Sequence, residues 1–383
     1  GQYDPQTGTW STLGSGIDQG STNAFLTMIQ PWDDGDGEQL YVAGQFAAAG
    51  GLAEANGLAI WDGKNWSSAG AGFSQSILLR VTYDMLPADL GDGERLYLAG
   101  NWESIGGQPA SGVAWFDGTS FGAWGTGDGI APYGGFSPFV NDLEEWDDGD
   151  GRAVYACGRF NGIDDAPSIN VARFNVASGV WEAVGTGIVP TSVTQGMYAL
   201  EVFDDGSGEA IYLAGGSFQL PGDTTVFRVA KWDGNTWTGV GQSLAGNVFD
   251  LEVWDDGDGP ALYLCGSGQS EVNDFAKLVK GEWVPAANGI NNPSLTGGGA
   301  SGKGASDDSQ AKFFGTPAAG NRFVFVVDNS GSMQDGRMET TILELLSSIR
   351  SMDRRQFFSV IFYSDQTYGL FHPQTVDRLV PAN

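Results

Sequence analysis

The chain has 383 residues, of which 60 are glycine and 13 are tryptophan, and 41% of the residues are apolar. This composition is typical of many short, aromatic-rich strands joined by tight turns, and it argues against a disordered chain. The net charge is −29, and residues 1–293 carry most of it, with 10 Lys and Arg against 38 Asp and Glu. Such a surface repels phosphate backbones, which argues against nucleic-acid binding. It suits divalent cations or cationic partners better, unless it serves only solubility. No apolar run approaches the ~18–20 residues of a transmembrane segment.

An acidic stretch occurs five times within residues 1–288. Its first copy, Trp32–Gly44, joins a Trp-Asp-Asp-Gly turn to an apolar segment that contains a tyrosine. The tyrosines of successive copies are 56, 58, 57 and 51 residues apart: Tyr41, Tyr97, Tyr155, Tyr212 and Tyr263. A fixed period of this size indicates a repeat architecture.

Each repeat contains four strand-like segments. In the second repeat they are Ile77–Met85, Arg95–Gly100, Val113–Phe116 and Phe121–Trp124. An Asp-Gly pair between two aromatic residues predicts a hairpin turn between the third and fourth strands, since glycine accepts a positive φ. Four antiparallel strands per repeat, arranged around an axis, predict a β-propeller.

The first residues match the end of a repeat. Tyr3–Trp10 has the pattern of a third strand, turn and fourth strand, and five complete repeats follow it. We therefore expect sequence upstream of Gly1 and six or seven units in the full ring. The repeats resemble the kelch-like propeller repeats of large secreted bacterial proteins, which implies an extracellular, cell-surface or periplasmic location. Propellers host unrelated activities, so this resemblance predicts the fold better than the function.

The pattern changes after the repeats. Residues 289–319 have the Gly/Ser-rich composition of a flexible linker, and a different domain is predicted over 320–383. Arg322–Val327 is an apolar run typical of a parallel strand buried on both faces. Apolar residues at helical spacing follow in Met338–Met352, and Phe357–Tyr363 and Tyr368–Phe371 have strand patterns. Strand, helix, strand is the beginning of an α/β domain.

Asp328, Ser330 and Ser332 follow the first of these strands directly. In an open α/β sheet, ligands bind at the carboxyl ends of the strands. One carboxylate and two hydroxyls are hard oxygen ligands that suit Mg²⁺. The alternative is that these residues only cap the following helix.

The segment Phe323–Met333 resembles the first strand and metal site of von Willebrand factor A domains, and Phe357–Asp365 resembles their second strand. The resemblance covers 320–383. It implies an α/β fold and a metal-ion-dependent adhesion site with Asp328, Ser330 and Ser332 as Mg²⁺ ligands. The family completes this site with a Thr and an Asp from later loops, which residues 320–383 do not supply. We therefore expect Mg²⁺ binding to be weak or absent in the chain as it stands.

The acidic turns are a second candidate metal site. Their aspartates are loosely similar to calcium loops, although the spacing of an EF-hand is missing. The second repeat keeps only Asp89 and Asp92, and the fourth has Ser207 in the third place. This variation favours ordinary turns over an obligatory metal. The candidate Ca²⁺ ligands are Asp33, Asp34, Asp36, Asp147, Asp148, Asp150, Asp255, Asp256 and Asp258.

Catalysis has little support in the repeats. The single histidine, His372, lies outside them, which excludes a Ser-His-Asp arrangement there. Two-carboxylate glycosidase chemistry stays open, but an active site should break the repeat pattern once. The irregular loops opposite the acidic turns are the expected partner surface. There Tyr133 and Phe136 either stack on a sugar, anchor a protein or pack in the core.

The favoured hypothesis is a non-enzymatic extracellular or cell-surface adhesion protein that binds a protein or polysaccharide ligand. The first alternative is a propeller glycosidase or lyase that acts on an extracellular polysaccharide. Two non-repeat carboxylates in a pocket at the propeller axis would favour that enzyme. The second alternative is a structural component of an assembly.

Overall fold

The computed structural model describes residues 2–4, 9–18, 25–70, 81–125, 129–132, 137–164, 166–257, 259–268, 274–286, 310–313, 316–319, 322–328 and 357–363. The fold is mainly β, and the described residues contain no helix. The chain divides into two compact units. The first comprises Gly1–Pro5 and Thr9–Asn291, and the second comprises Gln6–Gly8 and Asn292–Asn383.

The first unit begins with a hairpin and a four-stranded sheet. Its strands are β1 (Gln2–Asp4), β2 (Thr9–Ser11), β3 (Ile17–Asp18), β4 (Phe25–Asp33), β5 (Glu38–Gln45), β6 (Ala48–Ala49), β7 (Leu58–Trp61) and β8 (Trp66–Ser68). β4, β5, β7 and β8 form sheet 1 in that order, while β1 pairs with β2 and β3 pairs with β6. Every pairing is antiparallel.

Sheets 2 and 3 repeat this arrangement. The strands are β9 (Thr82–Asp89), β10 (Glu94–Gly100), β11 (Ser104–Ile105), β12 (Gln108–Pro109), β13 (Val113–Phe116), β14 (Phe121–Ala123), β15 (Ile130–Ala131), β16 (Phe139–Asp147), β17 (Arg152–Arg159), β18 (Gly162–Ile163), β19 (Val171–Asn175) and β20 (Val180–Ala183). Sheet 2 has the order β9-β10-β13-β14 and sheet 3 the order β16-β17-β19-β20. The short strands form the pairs β11–β12 and β15–β18.

Sheets 4 and 5 complete the repeats. The strands are β21 (Val189–Pro190), β22 (Met197–Asp204), β23 (Glu209–Gln219), β24 (Phe227–Trp232), β25 (Trp237–Gly239), β26 (Asn247–Asp255), β27 (Pro260–Ser267), β28 (Phe275–Val279) and β29 (Glu282–Pro285). In sheet 4, β22 and β24 flank β23, β25 follows β24, and β21 pairs with the end of β23. Sheet 5 has the order β26-β27-β28-β29.

The predicted strands of the second repeat agree with sheet 2 except at the first strand. The third strand, Val113–Phe116, matches β13, whereas the first does not end at Met85 but continues to Asp89. The strand continues because it lies on the edge of its sheet, where Pro87 removes no needed donor. The turn that ends it is closed by the Asp89 side chain, as described below.

The core lies between neighbouring sheets. The first strands β4, β9, β16, β22 and β26 pack against one another in chain order. Between sheets 3 and 4, for example, Trp146 and Tyr155 of sheet 3 form one apolar cluster with Leu200 and Leu213 of sheet 4. Sheets 2 to 4 are therefore buried on both faces, which explains the nearly continuous apolar sequences of the second strands.

Each first strand contains a β-bulge. In β16 the pairing register shifts between Val140 and Asp142, and β4, β22 and β26 shift at the same repeat position. In β9 the shift leaves out Tyr83. A bulge frees a backbone N–H from the ladder.

The second unit contains four described strands: β30 (Gln310–Phe313), β31 (Thr316–Ala319), β32 (Arg322–Asp328) and β33 (Phe357–Tyr363). β30 and β31 form an antiparallel hairpin inside the residues interpreted as a linker. β32 and β33 are parallel, with Arg322 opposite Phe357 and Asp328 opposite Tyr363. The predicted helix and third strand lie outside the described residues.

Candidate functional site

The first aspartate of each acidic turn closes the turn. Asp33 Oδ1 accepts hydrogen bonds from the N–H groups of Gly35 and Gly37, both at 2.9 Å. Both glycines have a φ of 107°, which side-chain-bearing residues rarely adopt. The same pair of bonds recurs at Asp89, Asp147, Asp204 and Asp255.

The second aspartate accepts a hydrogen bond from the repeat tyrosine. The Tyr41 hydroxyl donates to Asp34 Oδ2 at 2.9 Å, and Tyr155 donates to Asp148 at 2.6 Å. The same bond joins Tyr212 to Asp205 and Tyr263 to Asp256. Sheet 2 has Leu90 in this place. The period-marking tyrosine is therefore fixed by the turn that precedes it.

In sheets 3 to 5 a cation completes the arrangement. Its donor stands on the third strand, directly opposite the tyrosine. The nitrogen-to-oxygen distances to the second aspartate are 2.6 Å from Arg173, 2.6 Å from Lys231 and 2.7 Å from Lys277. Sheets 1 and 2 have Ile60 and Trp115 at this position.

These contacts shift the pKa values of the partners in opposite directions. Burial raises the pKa of the Tyr212 hydroxyl far above its usual range, and the hydrogen bond to Asp205 adds to this. Burial would also raise the pKa of Asp205, but hydrogen bonds from Lys231 and Ser207 outweigh it and hold that pKa well below its usual range. Asp205 therefore stays charged and paired with Lys231.

The calcium hypothesis gains no support from this geometry. The side-chain oxygens of the first and second aspartates accept internal hydrogen bonds in each turn that has both. The third aspartate, Asp36 or Asp150, is solvent-exposed, and its backbone N–H donates to the second aspartate. Within the described residues, no group of three or more His, Cys, Asp or Glu could hold a metal ion. Asp258 lies outside the described residues, and Ca²⁺ binding stays a prediction.

A second set of carboxylates was missed in the sequence. It lies on the first strands, five and three residues before the aspartate that ends each strand, and we name it the inner carboxylate row. Its members are Asp84, Asp142, Glu144, Glu201, Asp250 and Glu252.

The inner aspartates join neighbouring sheets. Asp84 Oδ2 of sheet 2 accepts the N–H of Leu143 in sheet 3 at 2.9 Å. Asp142 Oδ2 of sheet 3 accepts the N–H of Leu200 in sheet 4 at 2.6 Å. Both N–H groups are next to the bulge, so the bulge supplies the donor that ties one sheet to the next.

The row lacks cations among its immediate described partners, and the pKa values of five members rise: Asp84, Asp142, Glu144, Glu201 and Asp250. Burial raises the pKa of Asp84 and of Asp142, and the charge of Asp84 adds to the rise at Asp142. Burial and the charge of Glu201 raise the pKa of Glu144 to about 8. Burial and the charge of Glu252 raise the pKa of Glu201 to about 7. Burial together with nearby like charges therefore favours the protonated form of Glu144 at neutral pH.

The sequence signal for this row was a charge at every second residue of otherwise apolar strands, as in Asp142-Leu143-Glu144. Five residues before the end of the first strand, aspartate occurs in three of the five sheets. Three residues before the end, glutamate occurs in three of the five sheets. Strand residues at these positions face the neighbouring sheet, so recurrence there indicates sheet packing as much as chemistry. Such a row can hold protons, or carry out acid–base chemistry where a substrate reaches it.

The remaining candidate residues are only partly described. Asp328 is the last residue of β32, at the carboxyl end of the parallel pair. Ser330, Ser332, Tyr133 and Phe136 lie outside the described residues. Their roles stay predictions.

No protein-family model matches the chain, and no curated protein matches it significantly. In the part of the chain that is described, no helix is long and apolar enough to cross a membrane.

Proposed function

We propose that the chain is a non-enzymatic extracellular or cell-surface binding protein. In this proposal the first unit is a kelch-like β-propeller that serves as an interaction platform. The second unit contains a von Willebrand A-type module that binds its ligand through Mg²⁺. The ligand is a protein or polysaccharide at the cell surface.

Three features of the first unit support a propeller. Five sheets share one strand order, their first strands pack in sequence, and the acidic turns lie beside the Asp-Gly turns of the next sheet. Asp34 of sheet 1, for instance, is next to Gly118 of sheet 2. Radial repetition of antiparallel sheets is the propeller arrangement.

The observation that carries the adhesion site is the parallel pairing of β32 with β33. Parallel strands need a crossover connection, and ligands of such sheets bind at the carboxyl ends of the strands. Asp328 occupies that end. A carboxylate followed by two serine hydroxyls fits Mg²⁺, which prefers a few hard oxygen ligands and keeps its waters. Asp328, Ser330 and Ser332 would hold the ion, which would then offer an open position to a carboxylate of the ligand.

The test is retention of the chain on arrays of extracellular polysaccharides and proteins, in Mg²⁺ and in EDTA. We expect retention without cleavage of the ligand. Because residues 320–383 lack the Thr and Asp that complete the site, the Mg²⁺-dependent part should be weak in this chain, and Asp328→Ala should remove it. Asp36→Ala, which removes one carboxylate from an exposed acidic turn of the first unit, is the matched control and should behave like the wild type. Retention that is equal in Mg²⁺, in EDTA and in Asp328→Ala would contradict a metal-dependent site.

A polysaccharide-acting enzyme is the second candidate, and the inner carboxylate row favours it. Glu144 has the raised pKa of a general acid, and Glu201 lies close enough to influence it. Release of reducing ends from extracellular polysaccharides, abolished by Glu144→Gln, would establish this activity. The recurrence of the row from sheet to sheet is the reason for placing it second.

A further inference from the structure

In sheet 1, the face that would pack against a preceding sheet exposes two positions that are buried in every later sheet. Leu26 and Ile29 of β4 are 46% and 54% exposed. The residues at the same two repeat positions of sheets 2 to 5 are at most 3% exposed: Thr82, Met85, Val140, Leu143, Met197, Leu200, Val248 and Leu251. In those sheets the preceding sheet covers them.

In sheet 5, the face that would pack against a following sheet is exposed. Trp254 is 50% exposed, whereas Trp32 and Trp146 at the same position of sheets 1 and 3 are 4% and 6% exposed. The two exposed faces are thus the two halves of an interface that the first unit makes four times between its own sheets.

Part of a preceding sheet is already in place on sheet 1. Tyr3 pairs with Trp10 across β1 and β2, as Phe174 pairs with Trp181 across the third and fourth strands of sheet 3. The carbonyl of Leu13, three residues after Trp10, accepts the Trp66 indole N–H at 2.8 Å.

The same bond joins the later sheets at their fourth strands. Val184, three residues after Trp181, accepts from Trp237 at 3.4 Å, and Val240 accepts from Trp283 at 3.2 Å. Strands β1 and β2 therefore stand where the third and fourth strands of a preceding sheet belong. We name this pair the half-sheet.

We propose that the half-sheet is completed by an antiparallel β-hairpin of this same repeat, with the side-chain pattern of β26–β27. Its second strand would pair with the edge of β1 that β2 leaves open, as β27 pairs with β28. Its tryptophan and tyrosine would then cover Leu26 and Ile29. An intact second copy of the chain does not fit this face, since β2 and Leu13 occupy the place of its fourth strand.

A polar contact favours a first strand with an aspartate at the position of Asp250 in β26, which β9 and β16 also have as Asp84 and Asp142. The bulge in β4 places the Ile29 N–H where Leu143 and Leu200 present theirs to an aspartate of the preceding sheet. Within sheet 1 the neighbouring position is Met28, whose side chain offers no strong acceptor. The residue equivalent to Asp250 in an added hairpin supplies one.

The test is a fusion in which a second copy of residues 247–275 precedes Gly1, which reproduces the connection between β27 and β28 with Gly1 in the place of Ala276. We expect the thermal midpoint of the first unit to rise by about 4 °C or more. Hydrogen exchange should slow in β1 and at residues 25–29. Leu26→Asp should be nearly silent in the 383-residue chain and should cancel most of the increase in the fusion.

A fusion with Trp254→Asp and Tyr263→Asp in the added copy is the matched control, and it should lose the increase. Should the fusion fold poorly, a synthetic peptide of residues 247–268 added to the 383-residue chain should slow exchange at the same amides. No protection from either the fusion or the peptide would overturn the inference. So would a dimer of the 383-residue chain that Leu26→Asp dissociates, because the occupant would then be a second copy.

Discussion

The first unit contains two groups of carboxylates, the acidic turns and the inner carboxylate row, and the two groups have different neighbours and different charge states. In the acidic turns of sheets 3 to 5, the second aspartate contacts a tyrosine hydroxyl and a lysine or arginine, and Asp205 is held charged. In the inner carboxylate row, Glu144 and Glu201 face further carboxylates, and their pKa values rise to about 8 and about 7. The neighbours, and not the residue type, decide the charge state.

This difference in charge state indicates which carboxylates have a structural role and which are candidates for chemistry. Carboxylates that are paired and hydrogen bonded stabilise the repeat and are poor candidates for catalysis or exchangeable metal binding. Carboxylates with raised pKa values are the ones able to exchange a proton near neutral pH. Four measurements on matched positions test this contrast.

The largest effect is expected at the most buried ion pair of the turns. Arg173 and Asp148 are 2.6 Å apart, with side chains that are 10% and 1% exposed. Asp148→Ala removes the close partner of a buried guanidinium, which keeps only Glu182 at 3.7 Å, and should cost about 3–5 kcal/mol in urea unfolding. Asp34→Ala in sheet 1, where Ile60 replaces the cation, should cost less, and Asp148→Ala with Arg173→Met should recover part of the loss. Equal costs at Asp148 and Asp34 would contradict the role given to the cation.

The second-largest loss of stability is expected when a tyrosine hydroxyl that bonds to a turn aspartate is removed. Tyr212→Phe removes the donor to a charged carboxylate and should cost roughly 2 kcal/mol. Tyr97→Phe is the matched control, because Leu90 stands where sheet 4 has Asp205. Its cost in chemical unfolding should be clearly smaller. A similar loss at both positions would show that the hydroxyl contributes through burial and not through the aspartate.

The inner carboxylate row should make stability depend on pH. The folded state holds a proton on Glu144, whose pKa rises from 4.5 to about 8, whereas the unfolded chain releases it above pH 4.5. This contribution to stability is therefore complete below pH 4.5 and is lost as the pH rises towards 8. Glu144→Gln should stabilise the protein at pH 8 by about 1 kcal/mol, allowing for solvent screening, and change little at pH 4.5. A gain that is the same at both pH values would contradict the raised pKa.

The smallest effect is expected from calcium. Since the paired aspartates of the turns already accept internal hydrogen bonds, millimolar Ca²⁺ should leave the unfolding midpoint almost unchanged. Asp255→Asn should lower the midpoint by the same amount in Ca²⁺ and in EDTA. A stabilisation by Ca²⁺ that disappears in Asp255→Asn would restore the calcium-loop interpretation.

The repeat and its turns could be predicted from the sequence because they depend on local chemistry. Asp-Gly pairs and the fixed tyrosine spacing placed five sets of four strands, and Arg322–Val327 was predicted as a strand from its apolar run. The pairs β3–β6 and β15–β18 could not be predicted. Each strand has two residues, and the partners lie about thirty positions apart without a side-chain pattern.

The inner carboxylate row was missed for a different reason. Glu144 and Glu201 belong to different sheets, and only the packing of β16 against β22 brings their charges together. An alternating pattern in one strand shows which face a residue takes but not which residue faces it. The charge state of such a row is a tertiary property.

The indole bonds between fourth strands have a mechanical consequence. Trp66, Trp181, Trp237 and Trp283 each tie their sheet to the strand before it, whereas sheet 2 has Phe121, which carries no N–H. At the fourth strands, sheets 1 and 2 are therefore joined by side-chain packing without this indole hydrogen bond. Under tension, or on local unfolding, we expect the repeats to separate there first.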